Sequence, residues 1–273
     1  MTVEAIRVSP GWLGLRERAD ASARARELVD LLLDRLGAEG GWVIHDLAAG
    51  SGSMGRWLAP LLPRPQHWVL HDRDSDLLEL AAANPPEAAA DGAEVSIETQ
   101  VSDVTRLRPD DLTGATLITA SALLDLFTQD ELASLVDACA GADCPVLFAL
   151  SVSGRVELLP ADPLDARITA AFNAHQRRTT SRGRLLGPDA AEAVAGAFRR
   201  LGTDVVVRSS PWRLGPTESD LGIEWFTGWV DAACEQEPEL VPHSDRYRQR
   251  RLAEAAAGAL AVTVGHSDLL VPP

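Results

Sequence analysis

Hydrophobic and polar positions along the chain change period in a regular order. Over residues 13–36, Leu28, Val29, Leu31, Leu32, Leu33 and Leu36 form an apolar stripe against Arg24, Arg26, Asp30 and Arg35. That spacing predicts a helix, ended by Gly37, Gly40 and Gly41. The apolar run Trp42-Val43-Ile44 then leads through Asp46 into a small-residue turn holding Gly50 and Gly52. Beyond the turn, Met54, Trp57, Leu58, Leu61 and Leu62 return at helical spacing, closed by Pro60, Pro63 and Pro65. The stretch reads as strand, tight turn and helix N-terminus. Glycine serves where the backbone takes positive φ or lets a ligand come close, and the free N–H groups of a helix start favour a carboxylate or phosphate.

The alternation of strand and helix continues. Residues 67–72 predict a second strand, after which Asp74 caps a helix over Leu77, Leu78, Leu80 and Ala81 that stops at Asn84-Pro85-Pro86. Residues 94–101 and 115–120 predict two more strands. Thr128-Gln129-Asp130-Glu131 is a capping box opening a helix with Leu132, Leu135, Val136 and Cys139 on one face. Residues 145–152 predict a fifth strand. Five strands separated by helices predict an α/β fold with a mainly parallel, doubly wound sheet that binds ligands at the carboxyl ends of its strands. After residue 152 the rhythm changes: helices are expected over 164–178, 187–201, 217–236 and 244–257, with strands over 203–208 and 260–264. The expectation is one domain over residues 1–273, with a helical cap built from insertions at about 153–187 and 211–258.

Composition narrows the chemistry. The 273 residues are 46% hydrophobic and 24% charged, ordinary globular values. No apolar run is long enough for a transmembrane helix, and Thr2-Val3-Glu4-Ala5 does not start a signal peptide, so a cytoplasmic protein away from membranes is expected. The formal charge of −15 lacks the basic field that tracks phosphates, which disfavours nucleic acid and favours a small-molecule substrate. Every cationic residue other than histidine is arginine. Without lysine there is no P-loop, Schiff-base or kinase-type lysine chemistry. Cys139, Cys144 and Cys234 lack metal-ligand spacing and read as reduced small apolar residues. The histidines show no zinc pattern, so no metal is expected.

Gly50-Ser51-Gly52-Ser53-Met54-Gly55 satisfies G-x-G-x-x-G, and Asp72 follows Gly52 by 20 residues. On these features alone a dinucleotide fits. Three others point elsewhere: Asp46 ahead of the glycines, the second strand running into Asp72-Arg73-Asp74, and the third ending in Ser102-Asp103-Val104.

With these residues the chain resembles the class I S-adenosylmethionine-dependent methyltransferases of the bacterial small-molecule type. Ile44-His-Asp-Leu-Ala-Ala-Gly-Ser-Gly52 is similar to that family's V-L-D-L-G-C-G-T-G, and Leu70–Ala81 to its G-V-D-x-S-x-x-M-L-x-x-A. Ser121-Ala-Leu-Leu-Asp-Leu126 stands where many members carry S-x-x-L-H-H-L. Ala48 replaces the usual first glycine, and its methyl fits if the residue keeps negative φ. The resemblance implies a Rossmann-like, doubly wound seven-stranded sheet, mostly parallel with the last strand antiparallel. It implies S-adenosylmethionine as cofactor, held by Asp46, Ala48, Gly50, Gly52, Asp72, Arg73, Asp103, Val104 and Ser121. Asp46 would order the turn and water near the ammonium, Asp72 would accept both ribose hydroxyls, and Asp103 would accept from the adenine amino group, with Val104 on its face. The bland role for Asp72 and Asp74 is helix capping.

For catalysis, Asp125 follows the fourth strand and either orients or deprotonates an acceptor, or is a polar loop residue before the Thr128 cap. His175 lies one turn from Ala171 and Phe172 and is the second catalytic candidate, against the ordinary role of a core histidine. Asn173 and Gln176 beside it are candidate substrate contacts. Trp225, four residues before Trp229, either stacks a flat acceptor or packs the cap on the sheet. Arg246, Arg248, Arg250 and Arg251 read as a solvated helix face. The leading reading is methyl transfer from S-adenosylmethionine to a small molecule. The alternatives are an NAD-dependent oxidoreductase and a catalytically silent cofactor-binding interaction protein.

Overall fold

The computed structural model describes residues 8–34 and 40–273. The predicted glycine stop near Gly37 and the helix residues Arg35 and Leu36 lie outside the described residues. In chain order the elements are α1 (Pro10–Ala23), α2 (Arg26–Leu33), β1 (Trp42–Leu47), α3 (Ser53–Leu58), β2 (Gln66–Asp72), α4 (Ser75–Ala83) and β3 (Val95–Val101). They continue with β4 (Leu117–Ser121), α5 (Gln129–Gly141), β5 (Val146–Leu159), α6 (Asp165–Gln176) and the two-residue strands β6 (Thr179–Thr180) and β7 (Gly183–Arg184). The chain ends with α7 (Ala190–Arg200), β8 (Val206–Ser209), β9 (Trp212–Leu214), α8 (Ser219–Gln236), α9 (Val241–Ala256) and β10 (Ala261–Val271).

The main sheet runs β3-β2-β1-β4-β5-β10-β8, with β9 paired to the outer part of β10. From β3 to β5 every pairing is parallel, whereas β10 is antiparallel to β5, β8 and β9. The expected Rossmann-like α/β sheet with an antiparallel last strand is therefore present, with β9 as an eighth strand that the sequence pattern did not separate from its surroundings. Strand order reverses between β1 and β4. Such a switch point leaves a crevice at the carboxyl ends of the two strands, because the helices that follow them go to opposite faces.

Each face of the sheet has its own apolar layer. One gathers Phe127, Leu132, Leu135, Phe148, Val194 and Phe198 under α5 and α7, and the other gathers Leu28, Leu32, Ile44, Met54, Leu58 and Trp68 under α2 and α3. The Thr128 capping box closes as its letters predict. Thr128 Oγ1 accepts from the Glu131 N–H at 3.3 Å, and Glu131 Oε2 accepts from the Thr128 N–H at 2.9 Å. A third cluster, with Ile168, Trp212, Phe226, Trp229 and Tyr247, joins α6, α8 and α9 to the outer halves of β5 and β10. β5 runs well past the expected residue 152, and the extension carries this helical layer.

Three expectations are corrected here. The helix predicted over 13–36 is broken at Arg24 (φ −53°, ψ 134°), because the buried Asp268 carboxylate captures the Ala25 N–H at 2.7 Å. Asp268 also accepts from the Leu150 N–H at 2.7 Å and from the Ser210 hydroxyl, so one carboxylate ties three distant segments together. Arg24 itself is buried rather than on a polar face. Arg251 is fully buried rather than solvated: its guanidinium clamps Asp165 at 2.6–2.7 Å and the Pro160 carbonyl at 2.6 Å, and Tyr247 Oη donates to the same Asp165 at 2.6 Å. A buried cation with matched acceptors ties α9 to the start of α6.

Candidate functional site

The turn after β1 is left-handed at alternate residues: Ala48, Gly50 and Gly52 have φ of 53°, 54° and 82°. Ala48 thus takes a left-handed conformation that favours glycine, and the expectation of negative φ is corrected. The turn needs three positive-φ residues in register, and one of them is an alanine bearing the strain. At Gly50 a side chain would be strained by φ and would also meet Leu13 Cδ1 at 3.3 Å. At Gly52 a Cβ would meet Ala81 Cβ at 3.1 Å. The helix α1 is folded onto this turn: Arg56 pairs with Glu17 through two contacts of 2.7 Å and holds the Ser51 carbonyl at 2.7 Å.

Asp72, at the end of β2, binds this turn from the side. Its Oδ2 accepts from the Gly50 N–H at 2.8 Å, and its Oδ1 from the Asp74 N–H at 2.9 Å. Each oxygen keeps a lone pair for a further donor. Asp74 caps α4 by accepting from the Asp76 N–H at 3.1 Å. Asp103 lies after β3 and turns its Oδ1 to Thr105, whose N–H and hydroxyl donate at 3.1 and 2.7 Å. Burial raises the Asp103 pKa, but the Thr105 bonds, then Arg106 and Arg73, outweigh it and hold the carboxyl below its ordinary range. Val104 beside it is buried, and Arg73 is exposed.

At the switch point stand a buried acid and a buried cation. Asp46 is inaccessible at the end of β1; Thr119 Oγ1 donates to its Oδ1 at 2.7 Å, while Oδ2 has no protein partner. Burial raises its pKa to about 7, against the Thr119 bond and the Arg24 charge. Arg24 reaches in from the break between α1 and α2. Its guanidinium donates to the Ser53 carbonyl and hydroxyl, each at 3.3 Å, and to Ser121 Oγ at 3.1 Å, and it lies over the Trp57 ring at 5.3 Å. Burial lowers its pKa, opposed by Asp20 and Asp46, and its Nε has no protein partner. Sequence reasoning missed Arg24, because an arginine on the polar stripe of a helix carries no signal that the helix breaks beneath it.

Beyond the switch point lies a cavity of ≈ 150 Å³ walled by Trp12, Phe172, Trp212 and Trp225. Asp125, Asn173 and Gln176 line it, so three sequence candidates from two distant segments meet there. Asn173 Nδ2 donates to the Gly154 carbonyl at 2.8 Å, while its Oδ1 and Gln176 Oε1 are buried without a partner among the described residues. Burial raises the Asp125 pKa to about 6, offset in part by its backbone and by Arg16 and Arg178. Trp225 lines the cavity while stacking on Trp229 with centroids 5.3 Å apart, so packing and lining are one role.

His175 does not reach the cavity. Asn173 and Gln176 are three residues apart and share a face of α6, and His175 points instead to Glu235 of α8 at 3.3 Å. The catalytic expectation for His175 is corrected on that ground. The cavity holds His266 and Arg16 instead, neither of them foreseen. Arg16 pairs with the buried Asp20 at 2.9 Å and lies over Trp212 at 5.1 Å. Burial, then the Arg16 charge, pushes the His266 pKa down to about 3, so the ring is neutral. The signal for His266 was available. In β10, residues 262, 264, 266 and 268 are all buried, so a histidine and an aspartate stand at inward positions.

No protein-family model matches the chain, and no curated protein matches it. Among solved structures it is similar to the cyclopropane synthase MmaA2 of Mycobacterium tuberculosis, at 14% identity over 90% of this chain and 83% of that one, with a TM-score of 0.46. It is similar to an S-adenosylmethionine-dependent methyltransferase of Thiobacillus denitrificans in complex with S-adenosylhomocysteine, at 14% over 98% and 100% of the two chains, TM-score 0.45. A third is the magnesium protoporphyrin IX methyltransferase of Synechocystis with bound S-adenosylhomocysteine, at 14% over 76% and 83%, TM-score 0.45. Likenesses this distant say nothing of this chain's own ligand or reaction. Among the described residues no helix is long and apolar enough to cross a membrane, and no three His, Cys, Asp or Glu side chains gather as a metal site.

Proposed function

We propose that the chain is an S-adenosylmethionine-dependent methyltransferase that acts on a small molecule in the cytosol. One observation carries the reading: at the switch point a buried guanidinium and a buried carboxylate, Arg24 and Asp46, each keep one polar atom without a partner among the described residues. A zwitterionic amino-acid group satisfies both, its carboxylate on Arg24 and its ammonium on Asp46, directly or through water. Asp72, with lone pairs to spare on both oxygens, suits a vicinal diol. Val104 offers an apolar face beside Asp103 for a purine. A methionine end, a ribose and an adenine are the three parts of the cofactor, and bound there it supplies an electrophilic methyl group on a sulfonium sulfur.

The chain's own residues do the rest. α6 and α8 border the cavity with Phe172 and Trp225. Asp125, with a pKa of about 6, is largely ionised at neutral pH and stands ready to accept a proton from an acceptor hydroxyl or N–H. His175 is not part of this machinery.

A dinucleotide fits less well. Its pyrophosphate on the glycine turn would face Asp46 and Asp72, with the buried Arg24 to offset them. Calorimetric titration with S-adenosylhomocysteine and with NAD separates the two. Binding of S-adenosylhomocysteine and not NAD is expected; binding of NAD alone overturns the proposal. Methyl transfer to any member of an acceptor library, lost in Asp125→Ala, then separates an enzyme from a silent binding protein.

A further inference from the structure

The cavity between β5, β10, α1, α6 and α8 has a chemistry of its own. Its unpartnered buried side-chain atoms are Asn173 Oδ1, Gln176 Oε1 and His266 Nδ1. The donation of Asn173 Nδ2 to the Gly154 carbonyl at 2.8 Å uses the amide's donor side and leaves its buried oxygen as the atom without a partner. Asp125 adds a carboxylate on the same space. The two amide oxygens can only accept, whereas His266 Nδ1 accepts or donates with its tautomer; a buried acceptor left unsatisfied is costly, so the amide oxygens with Asp125 are built for a ligand that donates.

Charge and shape limit the ligand further. Aromatic walls with a carboxylate are also the ingredients of a cage for a cation. Here the Trp212 face is already covered by the Arg16 guanidinium at 5.1 Å, and Arg155 also borders the cavity. A second cation would be repelled by both. An anion would be drawn by the same two arginines but would meet Asp125 and the amide oxygens, so the charges bordering the cavity offset one another. The volume of ≈ 150 Å³ matches a space that holds one benzene-sized ring. The four walls, Trp12, Phe172, Trp212 and Trp225, are all aromatic, and a flat ring packs against such side chains in offset or edge-to-face geometry better than a branched chain does.

We infer that this cavity binds a neutral, single-ring planar compound carrying at least two O–H or N–H donors, which Asn173 and Gln176 read from one face of α6. Calling this ligand the methyl acceptor rests on the methyl-transfer reading; its chemical class does not.

The test uses ligand-observed saturation-transfer NMR on the full chain. The probes are resorcinol and 2-hydroxybenzamide as neutral ring donors, 1,3-dimethoxybenzene as a ring without donors, and benzylamine as a cation. They are run with and without S-adenosylhomocysteine. Binding of the donor probes at least fivefold tighter than 1,3-dimethoxybenzene and benzylamine is expected. That preference should fall to less than twofold in Gln176→Leu and in Asn173→Leu, each checked for a cooperative thermal transition. If either variant fails to fold, the wild-type ranking of the four probes still decides. Equal binding of resorcinol and 1,3-dimethoxybenzene, tighter binding of benzylamine, or no binding of either donor probe overturns the inference. S-adenosylhomocysteine binding is scored separately, so its absence would remove the methyl-transfer reading while leaving the probe ranking to judge the cavity.

Discussion

Asp72 Oδ2 accepts the Gly50 N–H at 2.8 Å, so the carboxylate at the end of the second strand holds the glycine turn that follows the first. Its other oxygen takes the Asp74 N–H at 2.9 Å. Asp72→Ala removes both bonds and leaves two backbone donors without their partner. The expected cost is about 1–3 kcal/mol in stability, and a further loss of S-adenosylhomocysteine affinity of about 2–4 kcal/mol if the ribose hydroxyls are read there. Urea unfolding and calorimetry measure the two separately. A stability loss with unchanged affinity would make Asp72 a structural clamp alone.

Arg24 is assigned to the carboxylate of the amino-acid end, and that assignment predicts a selective loss. Arg24→Gln should weaken S-adenosylhomocysteine by about 1.5–3 kcal/mol. It should leave methylthioadenosine, which lacks the amino-acid group, within about twofold of wild type. Equal losses for both ligands in calorimetry would mean that Arg24 supports the fold of the site and does not touch the ligand.

Asp46 predicts a pH dependence of binding. With its pKa raised to about 7, the carboxyl is mostly protonated at pH 6, whereas an ammonium partner prefers it ionised. S-adenosylhomocysteine affinity should therefore rise with pH up to about 7, by at most about tenfold per unit, and level off above. In Asp46→Asn the slope should vanish. The same raised pKa has a stability consequence of fixed sign: the contribution is fully present below the unfolded value near 3.8 and is lost as pH rises through about 7. Asp46→Asn should thus gain stability over wild type at pH 8, by about 1–3 kcal/mol, while binding more weakly. Urea midpoints for both proteins at pH 5 and pH 8 check this.

His71 predicts the opposite acid behaviour. It is fully buried, with His45 Nδ1 at 2.9 Å from its Nε2, and burial and then the His45 charge push its pKa down to about 4. A depressed folded pKa contributes stability above the unfolded value near 6.5, and that stability is lost as pH falls toward 4. The loss should reach about 2–3 kcal/mol by pH 4 and be smaller in His71→Gln, as read from chemical unfolding between pH 7 and pH 4.

Ala48 carries a left-handed conformation, φ 53°, that costs an L-residue roughly 1–2 kcal/mol. Ala48→Gly removes that strain but gives the unfolded chain more freedom, roughly 0.5–1 kcal/mol. The net expectation is a gain of about 0.5–1 kcal/mol, a Tm rise of about 1–4 °C by calorimetry. A lowered Tm would show that the alanine methyl is packed to advantage.

What the chain's own letters determined was local and periodic. Alternating strand and helix patterns predict the doubly wound sheet, because burial against both faces imposes a period on each element separately. The glycines, Asp46, Asp72 and Asp103 stand at strand ends, which are found by reading along the chain. Asn173 and Gln176 are legible as an odd polar pair on a cap helix, but their distance from Asp125 is not. Only the tertiary structure decided which polar residues became buried partners. Arg24 and Arg251 look like any solvated arginine in sequence, and they are drawn inward where Asp46 and Asp165 meet them across the fold, whereas Arg16 finds its carboxylate four residues on, at Asp20 of the same helix. His175, one helical turn from Ala171 and close in sequence to two cavity residues, was turned toward Glu235 of α8 by the 100° step of an α-helix. Spacing along the chain records which face a residue occupies, whereas the sum of opposed charges and bonds that buries it is made between segments far apart in sequence, and it exists only once they have met.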